Sequence, residues 1–249
     1  RKQKGAAKLR RRLSYSALHC YFLCPLQYKL LHECNFAVPQ ANYFRFGSSI
    51  HKCLELIHRH AAAGSRGDLQ TAEEIFAGVW KTTRWKDQAQ EKKQRELGLR
   101  YIRQYAENYA LRFDRIVWVE ENLELPVGDH LLLQGRLDLA YRGDTGLEIV
   151  DFKVRSRKGL EVLRPEYQIE TYGLAVTRAR AGEVGCLVIH LLAESPGKEL
   201  VVQSWNNEVE ERAEERIREA AAGIENNRFA PTPGAHCAYC DFAAVCPEA

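Results

Sequence analysis

Two aspartates thirteen residues apart, Asp138 and Asp151, constrain this chain most, because each ends or interrupts an apolar run and a turn joins the two runs. Leu131, Leu132 and Leu133 precede the first, and Leu147 to Val150 precede the second. Between them Arg142-Gly143-Asp144-Thr145-Gly146 has the composition of a turn, so the segment reads as a β-hairpin. Both carboxylates then project from one small sheet. Carboxylates held close together repel unless a hard cation such as Mg²⁺ or Mn²⁺ neutralises them. An ammonium such as that of Lys153, two positions after Asp151, can hold a water or offset charge on a phosphate. These are the groups that phosphodiester cleavage requires.

A lone D-x-K is common, and Asp and Lys at strand ends ordinarily face water. Three further features narrow the reading. Phe46-Gly47-Ser48-Ser49-Ile50-His51 opens an apolar-periodic stretch (Ile50, Leu54, Ile57) that reads as a helix with His51 near its start. Gln168 and Tyr172 stand four apart, on one face of the helix suggested by Tyr167 to Arg178. Cys24 lies early, and Cys237-Ala238-Tyr239-Cys240 and Cys246 lie at the end.

The order G-x-x-x-H, G-x-x-D, D-x-K and Q-x-x-x-Y, framed by one early and three late cysteines, resembles the PD-(D/E)XK nuclease superfamily. Within it the layout is similar to the RecB-like branch that carries an iron–sulfur cluster, shared by AddB-type helicase-nucleases and the nucleases of CRISPR adaptation. The likeness runs from Leu13 to Cys246. Leu137 stands where the superfamily's proline precedes the first aspartate, a replacement that the RecB-like branch tolerates.

The resemblance implies an α/β fold: a restriction-endonuclease-like core with a central mixed β-sheet flanked by helices, an N-terminal helical part and a cysteine-rich tail. It implies that His51, Asp138, Asp151 and the backbone carbonyl of Phe152 hold Mg²⁺ or Mn²⁺. Lys153 would orient the attacking water or stabilise the developing phosphorane charge. Gln168 and Tyr172 would support the site and the DNA strand. A further carboxylate is expected on the strand before Asp138, with Glu120, Glu121 and Glu124 as candidates.

Four thiolates suit either Zn²⁺ or a [4Fe–4S] cluster. The long separation of Cys24 from Cys237, with Pro25 and Pro247 following the first and last cysteines, resembles the iron–sulfur nucleases, and implies a structural cluster on Cys24, Cys237, Cys240 and Cys246. Cys20, one helical turn from Cys24, competes for the ligand role. Cys34, Cys53 and Cys186 read as small core residues.

Composition excludes some classes. At 249 residues and 45% hydrophobic, the chain can bury a substantial core. It has no apolar run of about 18 residues and no apolar segment after its basic start, so neither a membrane span nor a signal peptide is expected. Its eight cysteines are sparse for a secreted scaffold, and the C-x2-C-x5-C cluster has metal-ligand spacing, so a reducing cytoplasm is expected. The net charge of +3 does not by itself indicate nucleic acid. Residues 1 to 12 hold seven Lys and Arg and no acid, and read as a basic linker or disordered start. Lys81 to Arg103 is again basic around Trp80 and Trp85, which suits either a phosphate-tracking, base-stacking surface or a solvated helix face over core tryptophans.

One nuclease domain is expected over 13–249, with a helical part at 13–113, a catalytic core at 114–206 and a helix with the cysteine tail at 207–249. Helices are expected over Ser14–Leu31 with Ser14 as N-cap, Tyr43–Ala63, Ala72–Phe113 broken near Gly98, Glu166–Ala179 and Glu208–Asn226. Strands are expected at Ile116–Leu125, His130–Ala140, Leu147–Lys153, Val184–Leu192 and Glu199–Ser204. The absence of methionine and the start at arginine suit the C-terminal domain of a longer helicase-nuclease. The expected substrate is DNA, single-stranded or with free ends, and the expected partner is a fused or associated helicase. The alternatives are a stand-alone nuclease of CRISPR adaptation and an iron–sulfur module that binds DNA without cutting it.

Overall fold

A computed structural model describes residues 11–36, 42–64, 68–83, 88–157, 164–180 and 183–248. The chain opens with strand β1 (Arg11–Ser14) and helix α1 (Tyr15–Leu23), where Ser14 Oγ accepts from the Ala17 N–H at 3.0 Å as N-cap. The expected Ser14–Leu31 helix breaks at Cys24, which is extended (φ −158°, ψ 111°) because the following Pro25 disfavours helical backbone before it. A short α2 (Pro25–Tyr28) and a π-turn (Lys29–Glu33) follow. Arg11 and Arg12 correct the expected linker: they are strand residues, while residues 1–10 lie outside the described ones.

Helix α3 (Asn42–Ala62) buries Phe46, Ile50, Cys53, Leu54 and Ile57 as one stripe at helical spacing. Helices α4 (Leu69–Thr82) and α5 (Gln88–Tyr109) separate between Thr83 and Gln88, not near Gly98. Gly98 lies inside α5 against α3 and α4, where an added Cβ would come within 3.0 Å of both Ile50 and Phe76. The basic segment's Trp80 is a core residue, 5% exposed, and Trp85 falls outside the described residues.

A 3₁₀ turn (Ala110–Arg115) leads to the sheet: β2 (Ile116–Val127), β3 (Leu131–Arg142), β4 (Leu147–Lys153), helix α6 (Pro165–Arg180), β5 (Val184–Leu191), β6 (Leu200–Ser204) and helix α7 (Asn207–Glu225). β3 and β4 form the expected antiparallel hairpin. β5 lies parallel to β4, the connection running through α6, and β6 returns antiparallel to β5. The result is a mixed sheet with helices on both sides, a restriction-endonuclease-like core. One cluster of buried residues unites α1, α6 and α7, and the other unites α3, α4 and α5. No described helix is long and apolar enough to cross a membrane.

The site is placed by an irregularity of β3. β2 pairs with β3 from Leu131 to Tyr141 along one edge. The other edge is divided: β1 pairs in parallel with Leu131–Gln134, and β4 pairs antiparallel with Leu139–Arg142. Among the described residues, Gly135 to Asp138 therefore have no strand on that side. β4 also leaves β3 after Val150, so among the described strands Asp151, Phe152 and Lys153 pair only with β5.

Candidate active site

The gap in the sheet is where the motif residues meet. Phe152 has lost its place in the β3–β4 ladder, and a buried peptide N–H needs an acceptor. Asp138 Oδ2 accepts from it at 2.9 Å, which ties the first aspartate to the strand carrying the second. His51, from the cleft-facing side of α3, places Nδ1 3.4 Å from the same oxygen. Burial disfavours charge on His51, but the Asp138 carboxylate outweighs it and raises the imidazole pKa. Burial likewise opposes ionisation of Asp138, yet His51, the Phe152 N–H and Lys153 together hold its carboxyl below the usual range.

Of the three candidate glutamates the structure selects Glu120. Its carboxylate joins His51 and Asp138, with ligand atoms of all three within 4.8 Å of one another. Between the pairs Val119↔Leu139 and Glu121↔Leu137, Glu120 stands opposite Asp138. It has left-handed backbone (φ 53°), a sparse conformation for a non-glycine residue that costs on the order of 1–3 kcal/mol. The faces of the two strands invert here: Leu133 and Leu137 pack on the α1, α6, α7 side, whereas Leu139 and Tyr141 pack on the α3, α4, α5 side. On β2, Leu123 and Leu125 share the first side, and Val119 and Ile116 the second. Glu124 is instead engaged by Gln134 Nε2 at 2.5 Å.

Asp151 is 2% exposed, and its Oδ2 lies 2.7 Å from Lys153 Nζ as an ion pair, without hydrogen-bond geometry. Burial, then the opposing pull of Lys153, then the nearby Asp138 charge set its pKa, which is raised. Lys153 Nζ also donates to Gln168 Oε1 at 2.9 Å, and Gln168 Nε2 donates to Tyr172 Oη at 2.9 Å. Tyr172 packs on Tyr15 with ring centroids 5.1 Å apart. The Tyr15 ring explains the glycine of G-x-x-D, since a Cβ on Gly135 would lie 2.4 Å from it. Gly47 is not forced in this way, as its nearest neighbour would be a Val154 methyl at 3.6 Å. The Phe152 ring is buried behind the site, stacked on His58 at 5.8 Å.

All of the predicted residues His51, Asp138, Phe152, Lys153, Gln168 and Tyr172 line one cleft of about 1320 Å³, with Asp151 buried beneath it. Its walls are the face of α3 that runs from Phe44 to Glu55, and α1 with the start of α6. Phe44 is 52% exposed there. The two carboxylates and the imidazole that converge suit a hard divalent cation, while Asp151 lies outside that group of three, paired with Lys153.

The cysteines form a second constellation. Burial, and then the neighbouring Cys24, Cys237 and Cys246, push the Cys240 thiol up, although the Phe242 N–H donated to it acts the other way. Among the described residues, however, no three of these sulfurs lie within 4.8 Å of one another, unlike the ligand atoms of His51, Glu120 and Asp138. Gly234 N–H points at Cys237 Sγ, 3.4 Å away. The Cys20 thiol is pushed up to about 12 by burial, with Cys24 and Cys240 adding to it. Cys53 is buried and Cys186 packs against the core as expected, but Cys34 is exposed beyond the π-turn, correcting its core assignment.

The family model of the PD-(D/E)XK nuclease superfamily matches residues 12–247. No curated protein matches. A solved structure from Eubacterium rectale named "Putative exonuclease" is similar at 10% identity, with 94% of this chain and 87% of that chain covered and a TM-score of 0.52. The solved structure of SSO0001 aligns over 89% of this chain and 94% of its own at 19% identity, with a TM-score of 0.36.

Proposed function

Since the chain belongs to the PD-(D/E)XK nuclease superfamily, we propose that it is an Mg²⁺- or Mn²⁺-dependent deoxyribonuclease acting on single strands or DNA ends. The observation that carries this reading is the convergence of His51, Glu120 and Asp138 beside the Asp151–Lys153 pair in one open cleft. His51, Glu120, Asp138 and Asp151 would hold the cation, with the Phe152 carbonyl as a further donor. When bound, such a cation lowers the pKa of a water and offsets charge on the phosphate.

The remaining roles belong to the chain. Asp151 and Gln168 grip Lys153 from two sides, and Tyr172 fixes Gln168, so the ammonium points into the cleft at low reorganisation cost. There it orients the attacking water or neutralises the charge that develops on the phosphorus oxygens.

A structural [4Fe–4S] cluster on Cys24, Cys237, Cys240 and Cys246, stapling α1 to the tail, is part of the proposal and rests on the order and spacing of these cysteines in the sequence. A role in recombination or repair, within or beside a helicase, completes the proposal. The deciding experiment is incubation of end-labelled single-stranded and duplex DNA with Mg²⁺, Mn²⁺ or chelator. Cleavage in either cation that chelator abolishes is expected. Intact DNA in both cations, with binding retained, would replace this reading by the binding module.

A further inference from the structure

Glu120 is held by a residue that no motif role requires. Arg136, two positions before Asp138 on β3, pairs its guanidinium with the Glu120 carboxylate. The two partners differ sharply: the Glu120 side chain is 7% exposed and its backbone is locked in the left-handed region, whereas the Arg136 side chain is 63% exposed and lines the cleft. One partner is fixed and the other can swing. Burial, and then Asp138, raise the Glu120 pKa, while Arg136 acts against them.

The same carboxylate is one of three groups, with His51 and Asp138, whose ligand atoms converge. A guanidinium and a divalent cation compete for it, since each repels the other at such range. The guanidinium has a second partner available, because its planar fork matches a phosphodiester in two-point geometry and it already stands in the cleft that a strand would occupy. We propose that Arg136 is a latch: without a strand it occupies Glu120, and a phosphate of the entering strand draws it away and frees that carboxylate for the cation. The inference rests on the nuclease reading and deepens it. Its consequence is positive coupling, in which DNA strengthens cation binding and, by reciprocity, the cation strengthens DNA binding. Arg136 acts through Glu120, so it is a positioning residue.

The test measures Mn²⁺ affinity by calorimetry on the full chain, with and without a short oligothymidylate, in a Lys153→Ala background so that the strand survives. Arg136→Gln is expected to strengthen Mn²⁺ binding without DNA by about 5-fold or more, and to shrink the gain conferred by DNA by a similar factor, the low end of usual coupling. In a Glu120→Gln chain, replacing Arg136 should change DNA-free Mn²⁺ affinity by less than about 2-fold, because the latch has nothing left to hold. An unchanged DNA-free affinity in Arg136→Gln, or an equal gain in the Glu120→Gln background, overturns the latch. If Arg136→Gln does not fold, Arg136→Lys, which keeps the charge without the fork, must show a smaller change of the same sign, and no change overturns the proposal. A parent chain that neither binds Mn²⁺ nor cuts DNA defeats the nuclease reading itself. One that does both while Arg136→Gln couples as the parent does defeats only the latch.

Discussion

Acid should unfold this protein through a histidine that the cleavage chemistry does not use. His58 is 1% exposed, shares a 2.7 Å hydrogen bond with Tyr105 Oη and stacks on the Phe152 ring. Burial lowers its pKa from the ordinary 6.5 to about 3, with Asp138 opposing the shift and His190 adding to it. The folded chain therefore keeps His58 neutral while the unfolded chain binds a proton below pH 6.5. With a depressed folded pKa, the stability contribution is complete above 6.5 and is lost as pH falls from 6.5 towards 3. Each pH unit in that window costs about 1.36 kcal/mol, so lowering the pH from 7.5 to 5.0 removes about 2 kcal/mol through this residue alone. Urea unfolding of the parent and of His58→Gln at both pH values isolates the effect, because other titrating groups are common to the two proteins. The variant should be the less stable at pH 7.5, having lost packing and the Tyr105 bond, and the gap should narrow by about 2 kcal/mol at pH 5.0. A gap that stays constant across the two pH values would refute the claim that His58 is folded in its neutral form.

Three other outcomes follow from the geometry. Asp138→Asn and Asp151→Asn should each abolish cleavage and weaken cation binding, whereas Lys153→Ala should slow cleavage by about 10² or more with cation affinity retained; parent-rate cleavage by Lys153→Ala in a gel assay contradicts its role. Gly135→Ala should cost about 1–3 kcal/mol by driving a methyl into the Tyr15 ring, and an unchanged melting temperature would mean that the ring yields freely. Protein purified without oxygen should carry about four irons per chain, and Cys24→Ser, Cys237→Ser, Cys240→Ser or Cys246→Ser should lower the melting temperature. Stoichiometric zinc without iron, or four unchanged melting curves, counts against the staple.

Much of the catalytic half was legible because its signals are local. The β4 strand occupies Leu147–Lys153 as read, since an apolar run bounded by a turn has few alternatives. His51, Asp138, Lys153, Gln168 and Tyr172 reach one cleft because the ordered motif specifies positions that the fold must gather. What escaped depends on partners remote in sequence. β1 takes in the last two residues of a basic run, Arg11 and Arg12, and becomes a strand by pairing with Leu131–Gln134. The choice of Glu120 over its neighbours follows from one left-handed residue, which neither composition nor alternation reveals. Gly98 has the local signature of a helix breaker, but in this setting it permits close approach of three helices.

The divided edge of β3 bears on when during folding the protein can acquire activity. Arg11 and Leu131, the first pair on that edge, are 120 residues apart in sequence, and parallel pairing over such a span is among the slow events of folding. The hairpin carrying Asp138, Asp151 and Lys153 needs only local closure. Yet the cleft requires Tyr15 and His19, which follow β1, as well as Gln168 and Tyr172. A partly folded chain can thus display both aspartates and still lack one wall of the cleft, so competence for the proposed cleavage arrives with the last long-range contacts rather than the first local ones.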